Sequence, residues 1–233
     1  MRVISFNSNL APWTRNRSKR IKLIVKKINL LNPDIICLQE IFTKNNAGKI
    51  ISLLKKSGYL DFYYTKNLLA VSRYKILDRG YKIFKEQGKL LSYSILDVLY
   101  KKAFQYFSLK TDRKILIINA HLLSAAGKQN YHYKKSREKQ ILEILSNIKK
   151  NSIKRVIILG DFNFVQNSEP YKLIMENGFV DASRNIKEVT FPRKKIKIDY
   201  IFVKGIREDN LRIKIIKMNP LSDHNALYLY FSE

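Results

Sequence analysis

The chain has 233 residues, 45% of them apolar, and its 45 basic and 19 acidic side chains give a formal net charge of +26. The length and apolar fraction allow one sizeable buried core. Ile, Leu, Val, Phe and Tyr recur all along the chain despite the charge, which argues against disorder. One cysteine and three histidines exclude a disulfide framework and a thiolate zinc site. No apolar run reaches the roughly 20 residues of a membrane span, and the N-terminus shows no secretory signal. We therefore expect one domain, residues 1–233, in a monomeric cytoplasmic protein without stable membrane insertion.

The net charge of +26 allows two interpretations. It would attract polyphosphates, nucleic acids or anionic membrane surfaces at low ionic strength. However, lysine greatly outnumbers arginine, and isoleucine and asparagine are abundant, as an AT-rich coding sequence would produce without selection for binding. The charge is therefore equally consistent with a solvated lysine surface that has no binding role.

Nine segments rich in Ile, Val, Phe and Tyr, bounded by charged or turn residues, predict β-strands. In chain order they are Arg2–Asn7, Asp34–Glu40, Leu68–Ser72, Ile76–Phe84, Phe104–Leu109, Ile115–His121, Arg155–Asp161, Ile198–Val203 and Ala226–Phe231. The close spacing of several of these strands indicates hairpins, which favours mixed sheets over purely parallel ones.

Apolar spacing of three and four predicts helices between the strands. One stripe consists of Ile21, Ile24, Ile28 and Leu31, and a second of Ile141, Leu145 and Ile148. A short helix is predicted over Tyr171–Asn177, with Ser168 as N-cap and Gly178 as its stop. This order of elements predicts sheets that carry helices on their outer faces.

Polar residues interrupt the apolar strands at their ends. They are Asn7 and Asn9, Glu40, Asn119 and His121, Asp161 and Asn163, Asp199, and Asp223 and His224. Each alone has an ordinary explanation, such as an Asx-turn at Asp161 or an ion pair of Asp199 with nearby lysines. If the strands share a sheet edge, however, these groups converge there, and together they suit phosphoester chemistry.

The motifs that carry these residues follow one another in a recognisable order. They are Phe6-Asn7-Ser8-Asn9, Leu38-Gln39-Glu40, Asn119-Ala120-His121-Leu122, Gly160-Asp161-Phe162-Asn163, Ile198-Asp199-Tyr200-Ile201 and Ser222-Asp223-His224. This order resembles the endonuclease/exonuclease/phosphatase superfamily, from about residue 2 to residue 231. The resemblance implies an α/β (α+β) fold, a deoxyribonuclease-like four-layer sandwich of two packed mixed β-sheets flanked by helices.

The resemblance also implies a metal site. Asn7 and Glu40 are expected to bind a catalytic divalent ion, and Asp223 to contribute a further ligand directly or through water. Hard oxygen ligands suit Mg²⁺, with Mn²⁺ as a substitute.

The resemblance assigns catalytic roles to five residues. Asp161 is expected to orient and deprotonate the attacking water, and Asn163 to donate to a phosphoryl oxygen. His224 pairs with Asp199 in a dyad that favours a charged imidazole. His121 is expected to flank the phosphate from the other side, as hydrogen-bond donor or general acid.

Four further residues are assigned to substrate binding. At the position of Asn9, some relatives carry a carboxylate that assists metal binding. Asn119 precedes the histidine and is expected to position its loop or the substrate. Lys102 belongs to a segment from Asp97 to Phe104 that is similar to a phosphate-site element of sphingomyelinase-like members. Arg137 fits the superfamily's Arg-x-x-Gln pattern.

The sequence leaves three functions open. The first is a Mg²⁺-dependent phosphodiesterase acting on nucleic acid, favoured by the charge. The alternative is a sphingomyelinase-like enzyme, or another phospholipid or small-molecule phosphodiesterase or phosphatase. His121 and the Asp97–Lys102 segment favour this alternative. A catalytically inactive, basic nucleic-acid-binding protein ranks last, because the catalytic motifs are intact.

Overall fold

A computed structural model describes residues 1–87, 100–124 and 133–232 of the chain. These residues contain four α-helices: α1 (Arg17–Leu31), α2 (Lys44–Lys55), α3 (Lys134–Lys149) and α4 (Glu169–Glu176). They contain twelve strands: β1 (Arg2–Asn7), β2 (Ile35–Gln39), β3 (Asp61–Thr65), β4 (Leu68–Ser72), β5 (Ile76–Ile83), β6 (Ala103–Leu109), β7 (Ile115–His121), β8 (Arg155–Asp161), β9 (Val180–Asp181), β10 (Asp199–Lys204), β11 (Leu211–Ile216) and β12 (Ala226–Phe231). None of the described helices has both the length and the apolar character needed to cross a bilayer.

The strands form two six-stranded mixed sheets. The first, sheet A, has the order β11-β12-β1-β2-β4-β3, and the second, sheet B, has the order β5-β6-β7-β8-β10-β9. The central pairs β1–β2 and β7–β8 are parallel, whereas every other pair is antiparallel. The carboxyl ends of the two parallel pairs are therefore the places where loops can bring polar groups together.

Three apolar clusters divide the molecule into four layers. Helices α1 and α2 pack on the outer face of sheet A through residues such as Ile24 and Ile50. Helices α3 and α4 cover the outer face of sheet B in the same way. The third cluster lies between the sheets, where Val3 of β1 meets residues such as Ile157 of β8. The predicted four-layer sandwich of two mixed sheets flanked by helices is confirmed.

Each of the nine predicted strands is present, with bounds that differ by at most one residue at either end. Three strands and one helix were not predicted. Most side chains of edge strands β3 and β11 are only partly buried, and β9 has two residues, so none shows the continuous apolar run of a buried strand. Helix α2 begins with Lys44, Asn45 and Asn46 and contains Gly48, which weakens its helical signal.

The close pairing of β7 with β8 requires a glycine at position 160. Gly160 has φ +140°, and a Cβ there would lie 1.9 Å from the carbonyl oxygen of Ala120. We expect Gly160→Ala to lower the free energy of unfolding by about 3 kcal/mol, because neither strand can move without losing its ladder. Urea denaturation measures the change.

Gly48→Ala provides the matched control. Gly48 lies inside helix α2, and a Cβ there has no heavy atom within 4 Å. This substitution should raise the free energy of unfolding by about 0.5–1 kcal/mol, because alanine favours helix over glycine. If the Gly160→Ala variant had the same free energy of unfolding as the wild type, the close pairing of β7 with β8 would be contradicted.

Candidate active site

The predicted catalytic side chains lie at one end of the space between the sheets. Alternation along each strand sends every second side chain to the inner face. Val3 of β1 and Ile157 and Leu159 of β8 belong to the cluster between the sheets. The same inner faces continue to Asn7 and to Asp161 at the strand ends. The polar ends of the strands thus extend the central core toward a shared site.

Asp161 is the centre of this site. Strand register places His121 of β7 on one side of it and Asp199 of β10 on the other. From sheet A, the Asn7 side-chain amide donates to Asp161 Oδ2 at 2.9 Å. The Nε2 atoms of His121 and His224 lie 3.5 and 3.8 Å from the same oxygen. Burial and the neighbouring Asp199 raise the pKa of Asp161 above that of an ordinary aspartate.

The predicted dyad of His224 and Asp199 is present. Nδ1 of His224 lies 2.9 Å from Asp199 Oδ2, and both side chains are buried. Burial opposes the charged imidazole, but Asp199 and Asp161 outweigh it and raise the pKa of His224 to about 10. The Ser222 hydroxyl accepts from the His224 N–H at 3.1 Å, and the Thr190 hydroxyl accepts from the Asp199 N–H at 3.1 Å. Local hydrogen bonds therefore hold both members of the pair.

His121 and Lys102 form a second buried pair in the site. Lys102 Nζ lies 2.5 Å from His121 Nε2, and both side chains are less than 5% exposed. Burial, Lys102 and His224 together lower the pKa of His121, so its imidazole is neutral at neutral pH. Lys102 is the basic side chain closest to this neutral imidazole. Asp97, which begins the predicted Asp97–Lys102 segment, lies outside the described residues.

Glu40 provides the remaining carboxylate. Its side chain is 22% exposed, and His121 Nε2 lies 3.8 Å from it. Burial raises the pKa of Glu40, although Lys102 and His224 partly offset the effect. Donor atoms of Glu40, His121 and Asp161 lie within 4.8 Å of one another. Two carboxylates with raised pKa values at one spot, next to the amide of Asn7, fit a divalent cation that takes oxygen ligands.

Asn9, Asp223 and Asn163 lie at the edge of this cluster. The Asn9 amide donates to Asp223 Oδ1 at 2.9 Å, on the exposed side. The Asn163 N–H donates to Asp161 Oδ1 at 3.1 Å, so the Asx-turn is present alongside the site. The Asn163 side-chain amide donates to the Leu122 carbonyl at 3.1 Å. Asn163 thus links the segment after Asp161 to the segment after His121.

Two residues assigned to substrate binding lie away from this cluster. Asn119 is fully buried between the sheets, where it accepts from Gln39 at 2.7 Å and donates to Gln105 at 2.8 Å. Arg137 is also buried, and its guanidinium donates to the Leu123 carbonyl at 3.1 Å. Both side chains therefore support the segment around His121. Their burial favours this supporting role over the predicted contact with substrate.

Several supporting residues were not found from the sequence. The Gln87 amide accepts from the Lys102 N–H at 2.7 Å and donates to the Lys102 carbonyl at 2.8 Å. The Phe191 ring lies 4.8 Å from the His224 ring, and Thr190 was also not identified. None of these residues belongs to a polar motif at a strand end, so no pattern in the sequence marks them.

Three aromatic side chains form a rim beside the site. Trp13, which follows β1, lies 5.9 Å from Phe42 and 6.0 Å from Tyr100 between ring centroids. Phe42 comes two residues after Glu40, and Tyr100 two residues before Lys102. Trp13 is 56% exposed. The exposed Trp13 gives this aromatic rim a stacking surface, and the rim is built on segments that adjoin Glu40 and Lys102 in the sequence.

The model of the Endonuclease/Exonuclease/phosphatase family matches residues 4–224. This match covers nearly the whole chain and includes every residue of the cluster. No curated protein matches the chain significantly in sequence.

Solved structures with the same fold are numerous. SmcL is 19% identical with a TM-score of 0.83, over 100% of this chain and 99% of that one. Sphingomyelinase C from Streptomyces griseocarneus is 15% identical with a TM-score of 0.79, over 100% and 99%. Beta toxin from Staphylococcus aureus, as a double mutant with bound magnesium ions, is 19% identical with a TM-score of 0.77, over 99% and 99%. At these identities the likeness establishes the fold alone.

Asp199→Asn should lower the pKa of His224, because it removes the closest negative charge. Folding raises the pKa of His224 from 6.5 to about 10. The charged imidazole therefore stabilises the folded state fully below pH 6.5, and this contribution is lost as the pH rises through about 10. NMR titration of the metal-free protein should show a charged His224 through pH 9 in the wild type and an earlier titration in the variant.

The control is Asp209→Asn, which removes a highly exposed carboxylate and should leave the His224 titration unchanged. The stability difference between Asp199→Asn and wild type should shrink at alkaline pH, as measured by urea denaturation. An identical His224 titration in Asp199→Asn and wild type would refute the pairing.

Proposed function

Because the chain belongs to the endonuclease/exonuclease/phosphatase family, we propose that it is a Mg²⁺-dependent phosphodiesterase that cleaves nucleic acid. The observation that carries the proposal is the placement of Asp161 among Asn7, His121 and His224. A buried carboxylate with a raised pKa, next to a charged imidazole, can take a proton close to a phosphoryl group.

Glu40 and Asn7 would hold the divalent cation, with Asp161 beside them. When bound, the cation neutralises charge on the phosphate and on the leaving oxygen. The oxygen-rich donor set supports Mg²⁺, with Mn²⁺ as a substitute. The magnesium ions in the staphylococcal toxin of the same fold support the same choice.

The chain's own residues would accept the proton of the attacking water and stabilise the negative charge on the phosphoryl oxygens. Asp161 accepts a proton from the attacking water, whose oxygen bonds to phosphorus. The bond from phosphorus to the leaving oxygen breaks, and that oxygen takes a proton from solvent. Throughout, the His224 imidazolium and the Lys102 ammonium donate to phosphoryl oxygens, while Asp199 keeps His224 charged.

Two features support nucleic acid as the substrate. The net charge of +26 favours a polyanion over a neutral ester. The exposed Trp13, packed against Phe42 and Tyr100, suits stacking on a nucleobase. A cytoplasmic location and a monomeric state stay predictions.

A phospholipid phosphodiesterase is the second candidate. The sphingomyelinase C of the same fold favours it. An exposed tryptophan within an aromatic cluster also suits the polar–apolar boundary of a membrane. The two candidates share the cleavage chemistry and differ in what the aromatic rim contacts.

Removal of the metal and mutation of Asp161 test the chemistry. With bis(p-nitrophenyl) phosphate as a generic substrate, EDTA should abolish turnover and added Mg²⁺ should restore it. Asp161→Asn should lower kcat at least about 100-fold, because the general base is lost. Asp181→Asn, at a buried carboxylate of β9 that lies outside the cluster, is the control for folding and should retain activity. Hydrolysis that persists in EDTA would contradict the metal assignment.

Trp13→Ala tests the substrate class. It should raise KM for a single-stranded oligonucleotide about 10-fold, since stacking on one base contributes about 1–3 kcal/mol. Trp13→Phe should retain much of the affinity, and neither change should affect the generic substrate. The same variants assayed on sphingomyelin vesicles separate the two candidates. Efficient cleavage of sphingomyelin, with no cleavage of DNA or RNA by the wild type, would favour the phospholipid enzyme.

A further inference from the structure

The positive charge of the helical layers is concentrated on one side of the molecule. Helices α1 and α2, which cover sheet A, contain nine basic and no acidic residues. Helices α3 and α4, which cover sheet B, contain six basic and four acidic residues. The α1–α2 layer therefore contributes more positive potential than the α3–α4 layer.

A groove runs along this surface between the two helices. Its first part has a volume of about 580 Å³ and is lined by residues that include Lys22 of α1 and Lys49 of α2. A second cavity of about 390 Å³ shares Lys22 and Leu53 with the first and continues past Lys26. We call this continuous feature the α1–α2 groove.

The first part of the α1–α2 groove is open to solvent, with lysines at its sides and an apolar floor that includes Ile21 and Leu53. Ser18, Lys22 and Lys49 are exposed, and Lys49 Nζ donates to the Ser18 hydroxyl at 2.9 Å. A Cβ added at Gly48 would meet no heavy atom within 4 Å. The glycine thus leaves room between the two lysines for a chain to lie against the helix.

The first turn of α2, where Asn45 lines the α1–α2 groove, is attached to the loops that carry the candidate active site. The side-chain amide of Asn46, in the first turn of α2, donates to the carbonyls of Leu10 and Ile41 at 3.0 and 3.2 Å. These two residues follow Asn9 and Glu40, so the start of α2 is fixed to both loops of the site. The residues of α1 that line the groove run from 18 to 30, so the groove is about 18 Å long along the helix axis.

We propose that the α1–α2 groove binds the sugar-phosphate backbone of a nucleic-acid strand whose scissile phosphate lies at Asp161. The proposal rests on the function proposed above and adds a second contact region to it. The strand leaves the site past Trp13, and its phosphates then meet Lys22 and Lys49. Lys22 and Lys49 line the groove from its two helices, so a strand in the groove meets both lysines, whereas a flat membrane surface contacts the protruding Leu23 and Leu30 of α1.

Charge removal in the groove tests the proposal. The double variant Lys22→Gln/Lys49→Gln is compared with Lys85→Gln/Lys150→Gln, which removes two lysines from a groove of equal volume between β5 and α3. Binding of a fluorescent single-stranded 20-mer is measured in EDTA over 50–300 mM salt. The slope of log Kobs against log[salt] should become less negative by about 1.4 in the first double variant, because two phosphate contacts are lost. It should not change in the second.

Gly48 provides a second, independent test. Gly48→Glu places a negative charge inside the α1–α2 groove and should weaken oligonucleotide binding at least about 10-fold at low salt. Gly48→Ala should bind as the wild type does. Circular dichroism and thermal unfolding confirm that each variant folds, and hydrolysis of bis(p-nitrophenyl) phosphate should be unchanged in all of them.

Two outcomes would overturn the proposed groove while the proposed function stands. If the salt dependence of binding fell equally in the two double variants, any two lysines would have the same effect, and the groove would have no specific role. Loss of binding to phosphatidylserine vesicles, with unchanged oligonucleotide binding, would assign the surface to a membrane. If the wild type with Mg²⁺ hydrolyses the generic substrate but no nucleic acid, the proposed function fails, and the groove proposal fails with it.

Discussion

The burial of two carboxylates side by side is the constraint on which the site depends. Asp161 and Asp199 are opposite one another on antiparallel strands, where like charges destabilise the pair. His224 resolves this conflict, because one ring nitrogen contacts Asp199 at 2.9 Å and the other faces Asp161 at 3.8 Å. A charged imidazole between two acids stabilises both, and in the same position it can act on a phosphate.

Much of the surrounding structure holds these charges in place. Asn7 reaches across from the other sheet to Asp161, so the packing of the two sheets determines one side of the site. Lys102 brings positive charge from β6 to His121, and Gln87 binds both backbone groups of Lys102. Hydrogen bonds from neighbouring segments therefore hold Asp161, Lys102 and His224 in place. Preorganised charges of this kind need little rearrangement during a reaction.

The sequence was informative where an apolar strand ends in a polar residue. Such ends mark Asp161 and Glu40, since a buried strand shows a continuous apolar run and its polar end stands out. The sequence was less informative about whether a polar side chain points into the site or into the interior. Asn119 and Arg137 have the right types for substrate contact, but their side chains point into the interior. Gln87 was not predicted, because its role depends on two segments that meet only in the fold. The edge strands and helix α2 were missed for a different reason, because partly exposed elements and helices with Asn and Gly near the start carry weak patterns.

The distribution of charge over the helices helps to decide whether the high lysine content reflects only a compositional bias of the coding sequence or also selection for binding. A composition bias adds lysine throughout the chain, yet α3 and α4 retain four acidic residues while α1 and α2 have none. Helices without acidic residues forgo ion pairs along the helix and favourable charges in the first turn. In α1 the buried Ile21, Ile24 and Ile28 supply the stability instead. The inner face of the helix is thus determined by packing on the sheet, and its outer face stays available for selection by a negatively charged partner.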